Sequence, residues 1–357
     1  MELKKTLKSL KPIQKEPCVS ILLSTHRTHP DNAQDPINLK NLITQAEERM
    51  LTEYDKRHVW PVMERINEAA EGIDHNKNLD GLALFANPDM AEVVQLPVSI
   101  TNRVILDHNF ATRDLMRALQ SSAHYYILTV SGNQSRLIEG YRNAVVEEFG
   151  AKHGFPIENR FYNTHADQRA QAGVESNLLR EYLNRLDKLM QEIHTEEPLP
   201  VILSGDDRTV NHFLEVADRK EMYIGRITGS PDACKAHELT EKAFAEIERM
   251  RNERQLSALE DIRRSQGAGK LLVDVGDIYR AAQEGRADTL YVETGYYQPA
   301  LIIDNIVTLK DDHSAPGVLD DIIDEIAEVT MKFGGHVVFL PEGSLKEYRK
   351  VCLATRF

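Results

Sequence analysis

Between residues 25 and 31 the chain runs Thr25-His26-Arg27-Thr28-His29-Pro30-Asp31, placing two imidazoles and a guanidinium close together. The cluster follows Val19 to Leu23, an apolar run of strand length, and loops leaving a rigid strand are common sites of ligand contact. His26 and Arg27 suit a phosphate or a base edge. His26 and His29 invite a metal, but no acidic or cysteine partner stands at diagnostic spacing. The plainer reading is that the cluster caps the strand and the next helix, and the sequence leaves both readings open. A second cluster, His165-Ala166-Asp167-Gln168-Arg169, sets an imidazole two residues from a carboxylate. That spacing invites acid–base chemistry, yet no fixed nucleophile accompanies it and loop solvation accounts for it equally. Gly267-Ala268-Gly269-Lys270 resembles a phosphate loop only in part, since Arg264 stands where the first glycine belongs and Leu271 where a serine or threonine belongs. It reads as a helix-to-strand link.

Composition narrows the classes. The 357 residues exceed one ordinary domain and suit two or three of roughly 100 to 150 residues. Hydrophobic residues make up 41%, enough for buried cores, and the formal net charge of -13 argues against coating nucleic acid by bulk electrostatics. Lys4, Lys5, Lys8 and Lys11 form a local basic stretch that also reads as a solvated helix face. Cys18, Cys234 and Cys352 lie far apart, so neither a disulfide framework nor a thiolate zinc site is expected. With no signal peptide or membrane span in the pattern, the expectation is a cytoplasmic protein that meets no membrane.

The elements that must position these residues are legible from periodicity. The first hundred residues predict a helix over Leu3–Leu10, a strand over Cys18–Ser24, a helix with Leu39, Leu42, Ile43, Ala46 and Met50 on one face, a helix over Val59–Ala70, and a strand near Leu82–Phe85. A middle region near Arg103 opens with a strand over Val104–Leu106 and a helix over Arg113–Gln120. Tyr125–Val130 and Ser135–Tyr141 predict a hairpin. A long amphipathic helix follows Ser176, with Leu179, Leu183, Leu186, Met190 and Ile193 on one face; Val201–Leu203 is a strand, and a helix starts at Thr209. The last region begins near Pro231 with a helix burying Leu239, Ala243, Ile247 and Met250. A helix over Asp277–Glu284 closes at Gly285, a strand covers Leu290–Val292, and Val337–Leu340 is expected as the final buried strand.

Several pieces occur in an order that resembles the archaeo-eukaryotic peptide-chain release factors, the class-1 factors and their Pelota-like relatives. These are Val19-Ser20-Ile21-Leu22, Asp80-Gly81-Leu82-Ala83-Leu84-Phe85, Asp107-His108-Asn109-Phe110, Lys152-His153-Gly154, Leu203-Ser204-Gly205, Gly285 to Leu290 and Gly334-Gly335. In that family a Gly-Gly-Gln tripeptide precedes a long helix; here Gly173 and Ser176 keep the frame, while Val174 and Glu175 stand where the second glycine and the glutamine belong. Glu53-Tyr54-Asp55-Lys56 takes the place of the stop-codon reader Asn-Ile-Lys-Ser. The companion Tyr-X-Cys-X-X-X-Phe motif is reduced to Val104-Ile105-Leu106, with only Phe110 retained. The best-fitting subgroup is the bacterial branch of this superfamily.

The resemblance implies an α/β (α+β) chain of three domains. They are an N-terminal α/β domain over 1–102 without its decoding motif, an RNase-H-like middle domain over 103–231 with a degenerate catalytic loop, and a C-terminal α/β/α domain over 232–357 similar to kink-turn-binding ribosomal proteins. It implies ribosome rescue or quality control, binding to ribosome or tRNA, a protein partner for the C-terminal domain, and no cofactor or metal. Within that frame Glu175 is a candidate general base if burial raises its pKa, or a helix-start carboxylate complementing the dipole. Gln171 is a candidate water-positioning side chain. His26, Arg27, His29, Arg169 and Gly173 are candidate RNA or anion contacts. Two other classes stay open: a hydrolase using Asp107, Asp206 and Asp207, and a non-catalytic adaptor binding through acidic helices such as Glu241 to Glu253.

Overall fold

The computed structural model describes residues 2–121, 123–159, 172–311 and 317–357. Contacts divide the chain into two compact units, Ala123–Leu256 and Glu2–Ser122 with Ser257–Phe357.

In the second unit, β1 (Cys18–Ser24) lies inside a four-stranded antiparallel sheet of order β3–β2–β1–β4, with β2 Gly81–Ala86, β3 Ala91–Leu96 and β4 Arg103–Asp107. Ser24 faces Gly81 on one side, and Cys18 faces Asp107 on the other. β1 is apolar at nearly every position because both sheet faces are covered. Val19, Ile21 and Leu23 meet α2 (Asp35–Glu53) and α3 (Lys56–Glu71) through Leu39, Leu42, Ala46, Met50, Val62 and Ile66. Cys18 and Leu22 face the other way, toward Leu10 of α1 (Glu2–Leu10) and Leu115 and Ala118 of α4 (Arg113–Ser121). β4 and α4, which the sequence reading groups with the middle region, pack with this first sheet. An apolar run identifies a strand but not its partner, and Val104-Ile105-Leu106 finds its partner in β1.

The other unit holds β5 (His124–Val130), β6 (Gln134–Ser135), β7 (Leu137–Tyr141), β8 (Ala144–Glu148), β9 (Ile157–Glu158), β10 (Val201–Gly205) and β11 (Tyr223–Thr228). Its main sheet has the order β11–β10–β5–β7–β8. β5, β7 and β8 form an antiparallel meander, while β10 runs parallel to both β5 and β11. One face packs on α5 (Ala172–Glu196) and α6 (Asp207–Val216) through Tyr182, Leu186, Met190 and Phe213. The opposite face places Tyr125, Ile127 and Ile202 against Leu239 and Ala243 of α7 (Ala236–Gly267). A Cβ on Gly140 would stand 2.8 Å from the Tyr125 ring, so that strand position has no room for a side chain.

Beyond residue 256 the sheet order is β12–β18–β13–β17, from β12 (Leu271–Leu272), β13 (Ala287–Glu293), β17 (His336–Leu340) and β18 (Val351–Thr355). α8 (Val275–Gln283) and α9 (Ile322–Lys332) cover one face. Ala258 and Ile262 from the end of α7 cover the other, against Tyr291 and Cys352. α8 stops at Glu284, and Gly285 adopts φ 71°, the left-handed stop that its sequence position foretells. A side ribbon joins β14 (Ala300–Ile303), β15 (Ile306–Leu309) and β16 (Val318–Leu319). The last buried strand is β18, not β17. Val351-Cys352-Leu353-Ala354-Thr355 is buried throughout between β12 and β13, and its short run ends too near the terminus to stand out in the sequence.

Within this unit, carboxylates around the start of α9 hold the first sheet. Arg49 of α2 donates to both Asp320 oxygens at 2.9 and 3.0 Å, and the Leu106 N–H donates to the same carboxylate at 2.9 Å. Arg113 pairs with Asp321 at 2.9 Å, and the Arg113 N–H donates to Asp324 at 3.0 Å. Each of these carboxylates is largely buried, so the pairs are little screened by solvent.

Candidate nucleic-acid interface

The His26–His29 cluster leaves the end of β1 beside the start of β2, because the antiparallel register sets Ser24 opposite Gly81. Thr25 closes that end: its N–H donates to Asp80 O and its hydroxyl to Leu79 O at 2.9 Å. His26 is held by Asp35, which is fully buried at the start of α2. The His26 N–H donates to Oδ2 and Nδ1 contacts Oδ1, both at 2.9 Å, while Asn78 Nδ2 donates to Oδ2 at 2.8 Å. Arg27 grips Asp80 bidentately, Nε to Oδ1 at 2.7 Å and Nη2 to Oδ2 at 2.9 Å. His29 is exposed in the same loop.

The capping reading holds for this loop. Asp35 and Asp80 fasten it, and His26, with its side chain 49% exposed, faces solvent from a fixed base. Sequence reasoning finds His26, Arg27 and His29 but misses Asp35, Asn78 and Asp80, whose roles come from the strand register.

The other candidates fall elsewhere. Gly173 and Glu175 lie in the opening turns of α5, which already runs as helix from Ala172, and nothing is described of their side chains. Gln171 and Arg169, with His165 and Asp167, lie outside the described residues. The three carboxylates of the hydrolase reading are divided between the two units. Asp107 belongs to the unit of β4, and Asp206 and Asp207 to that of α6. Burial raises the Asp107 carboxyl above the usual range, against the opposing contacts of His108. Asp206 caps α6 by accepting the Thr209 N–H at 2.9 Å; burial opposes its charge, and the hydrogen bonds from Thr209 and Arg208 win, leaving its pKa low. Among the described residues no three His, Cys, Asp or Glu side chains are placed to hold a metal, and no helix is long and apolar enough to cross a membrane.

Part of this mixed α/β chain is similar to a release-factor family. Residues 124–286 match the family described as bacterial archaeo-eukaryotic release factor family 3. Comparison with the curated proteins finds no match. Among solved structures, the archaeal translation termination factor aRF1 is 15% identical, with 100% of this chain and 97% of that chain covered at a TM-score of 0.28. Archaeal Pelota, in a ribosome-bound assembly with ABCE1, is 13% identical over 75% of this chain and 72% of that one at 0.40. The S. cerevisiae termination-like factor Dom34 is 10% identical over 78% and 74% at 0.38.

Proposed function

We propose that this protein binds ribosomes or ribosome-bound tRNA in rescue or quality control, without codon-specific termination. The match over residues 124–286 to a release-factor family carries the reading, because it spans the stretch where Gly173-Val174-Glu175 replaces the catalytic tripeptide. The order of the β5–β11 sheet, an antiparallel meander extended by two parallel strands, supports the RNase-H-like assignment of the middle domain. A helical backbone from Ala172 removes the freedom that a glycine pair gives a loop tip, which favours binding over Gly-Gly-Gln-type hydrolysis. His26, Arg27 and His29 are the RNA contacts of the first domain, with Gly173 and Arg169 those of the middle one. A protein partner docks on the C-terminal region, where the β14–β15 ribbon exposes Ile303 at 59%, Ile306 at 68% and Leu309 at 47%.

The test is binding to stalled ribosomes that differ only in the A-site codon. Equal affinity for stop and sense codons is expected. A preference for stop codons would contradict the reading. Release of peptide that is lost in Glu175→Ala or Gln171→Ala would show that the site hydrolyses the ester after all.

A further inference from the structure

Hydrogen-bond polarity near Asp35 can be followed outward from a group that has no choice. The Leu79 N–H must donate, and its acceptor is Gln95 Oε1 at 3.2 Å. Gln95 therefore turns Nε2 toward Asn78, whose Oδ1 accepts at 3.1 Å. Asn78 then presents its amide hydrogens on the other side, where Nδ2 donates to Asp35 Oδ2 at 2.8 Å and lies 3.2 Å from His75 Nδ1. Amide and imidazole assignments follow from such networks, and here a backbone donor anchors the whole chain of choices. His75 Nδ1 accepts, so the neutral ring carries its proton on Nε2. His26 is the reverse. Its Nδ1 meets a carboxylate oxygen of Asp35 at 2.9 Å and donates there, so the neutral ring keeps a lone pair on Nε2.

One buried hub thus fixes two imidazoles in opposite tautomers. Asp35 is 0% and Asn78 3% exposed, while His26 and His75 both reach solvent at the same end of the sheet. Among the described residues neither Nε2 has a protein partner. Fastening the loop needs Asp35 and Asn78, but it does not need two outward imidazoles of opposite polarity.

We propose that His26 and His75 bind the ribose-phosphate backbone of single-stranded RNA, His26 Nε2 accepting from a 2′-hydroxyl and the His75 Nε2–H donating to a phosphate oxygen. This deepens the RNA-contact reading of the loop and rests on it. The 2′-hydroxyl is the group that separates RNA from DNA at a given site.

The full-length protein is titrated against a fluorescent single-stranded RNA and the same sequence as DNA, followed by anisotropy. RNA is expected to bind about three- to tenfold more tightly, the size of one hydrogen bond. His26→Ala removes that preference, His75→Ala weakens RNA and DNA binding alike, and His75→Gln, which keeps a donor, retains part of that affinity at an unchanged unfolding midpoint. Equal binding of RNA and DNA, no binding of either, an intact preference in His26→Ala, or unchanged affinity for both strands in His75→Ala would overturn the proposal. Failure to bind ribosomes with the RNA preference intact would instead remove only the rescue reading.

Discussion

Glu328 shows what the carboxylate-rich contact in the second unit asks of single residues. It accepts from Asn109 Nδ2 at 3.0 Å and from the Thr112 hydroxyl at 3.3 Å, and burial, then the charge of Glu325, pushes its pKa up to about 7. A raised carboxyl binds its proton more tightly folded than unfolded. Its stabilising contribution is complete below the unfolded value near 4.5 and is lost as pH rises through about 7, a change on the order of 3 kcal/mol. Glu328→Gln keeps the shape without the charge, so its urea-unfolding stability should vary less than wild type over this window; identical pH profiles would refute the assignment. Asp320 behaves oppositely under substitution. Removing it takes away the bidentate carboxylate of Arg49, which keeps Val104 O and, at 4.0 Å, Glu53, and it strands the Leu106 N–H, so Asp320→Ala should cost about 3 kcal/mol by the same measurement. At this scale the sequence shows His26, Arg27 and His29 as a cluster. It hides Asp35, Asn78 and His75, because polar residues carry no periodicity and meet only through the register of β1 on β2.

Among the elements, helices with a regular apolar stripe are the most legible. The Leu179 to Ile193 pattern marks α5, and the Leu39 to Met50 pattern marks α2. The start of α5 at Ala172 is not legible, since Gly173 breaks the local helix preference and the apolar stripe begins only later. β8 escapes for another reason: Ala144 to Glu148 is exposed along its length and has no buried face to leave a pattern. Gly140 in β7 sits against the Tyr125 ring, whose hydroxyl donates to Arg142 O at 2.6 Å and Thr240 O at 3.0 Å. Gly140→Ala should push that ring off its partners and cost about 1–3 kcal/mol in urea unfolding. No loss would mean that the ring moves freely.

For the whole molecule, an excess of acidic residues giving a net charge of -13 must be reconciled with the RNA-rich partner proposed for it. Counterion release drives binding in proportion to the phosphates that are neutralised, so a chain of this charge cannot bind by bulk attraction. Binding through a few fixed groups would show a shallow salt dependence. The direct measurement is co-sedimentation with bacterial ribosomes, vacant or stalled with peptidyl-tRNA, across a salt series. The account expects association that favours stalled ribosomes and weakens only gradually with salt. Absence of the protein from the ribosome pellet at every salt concentration would contradict it.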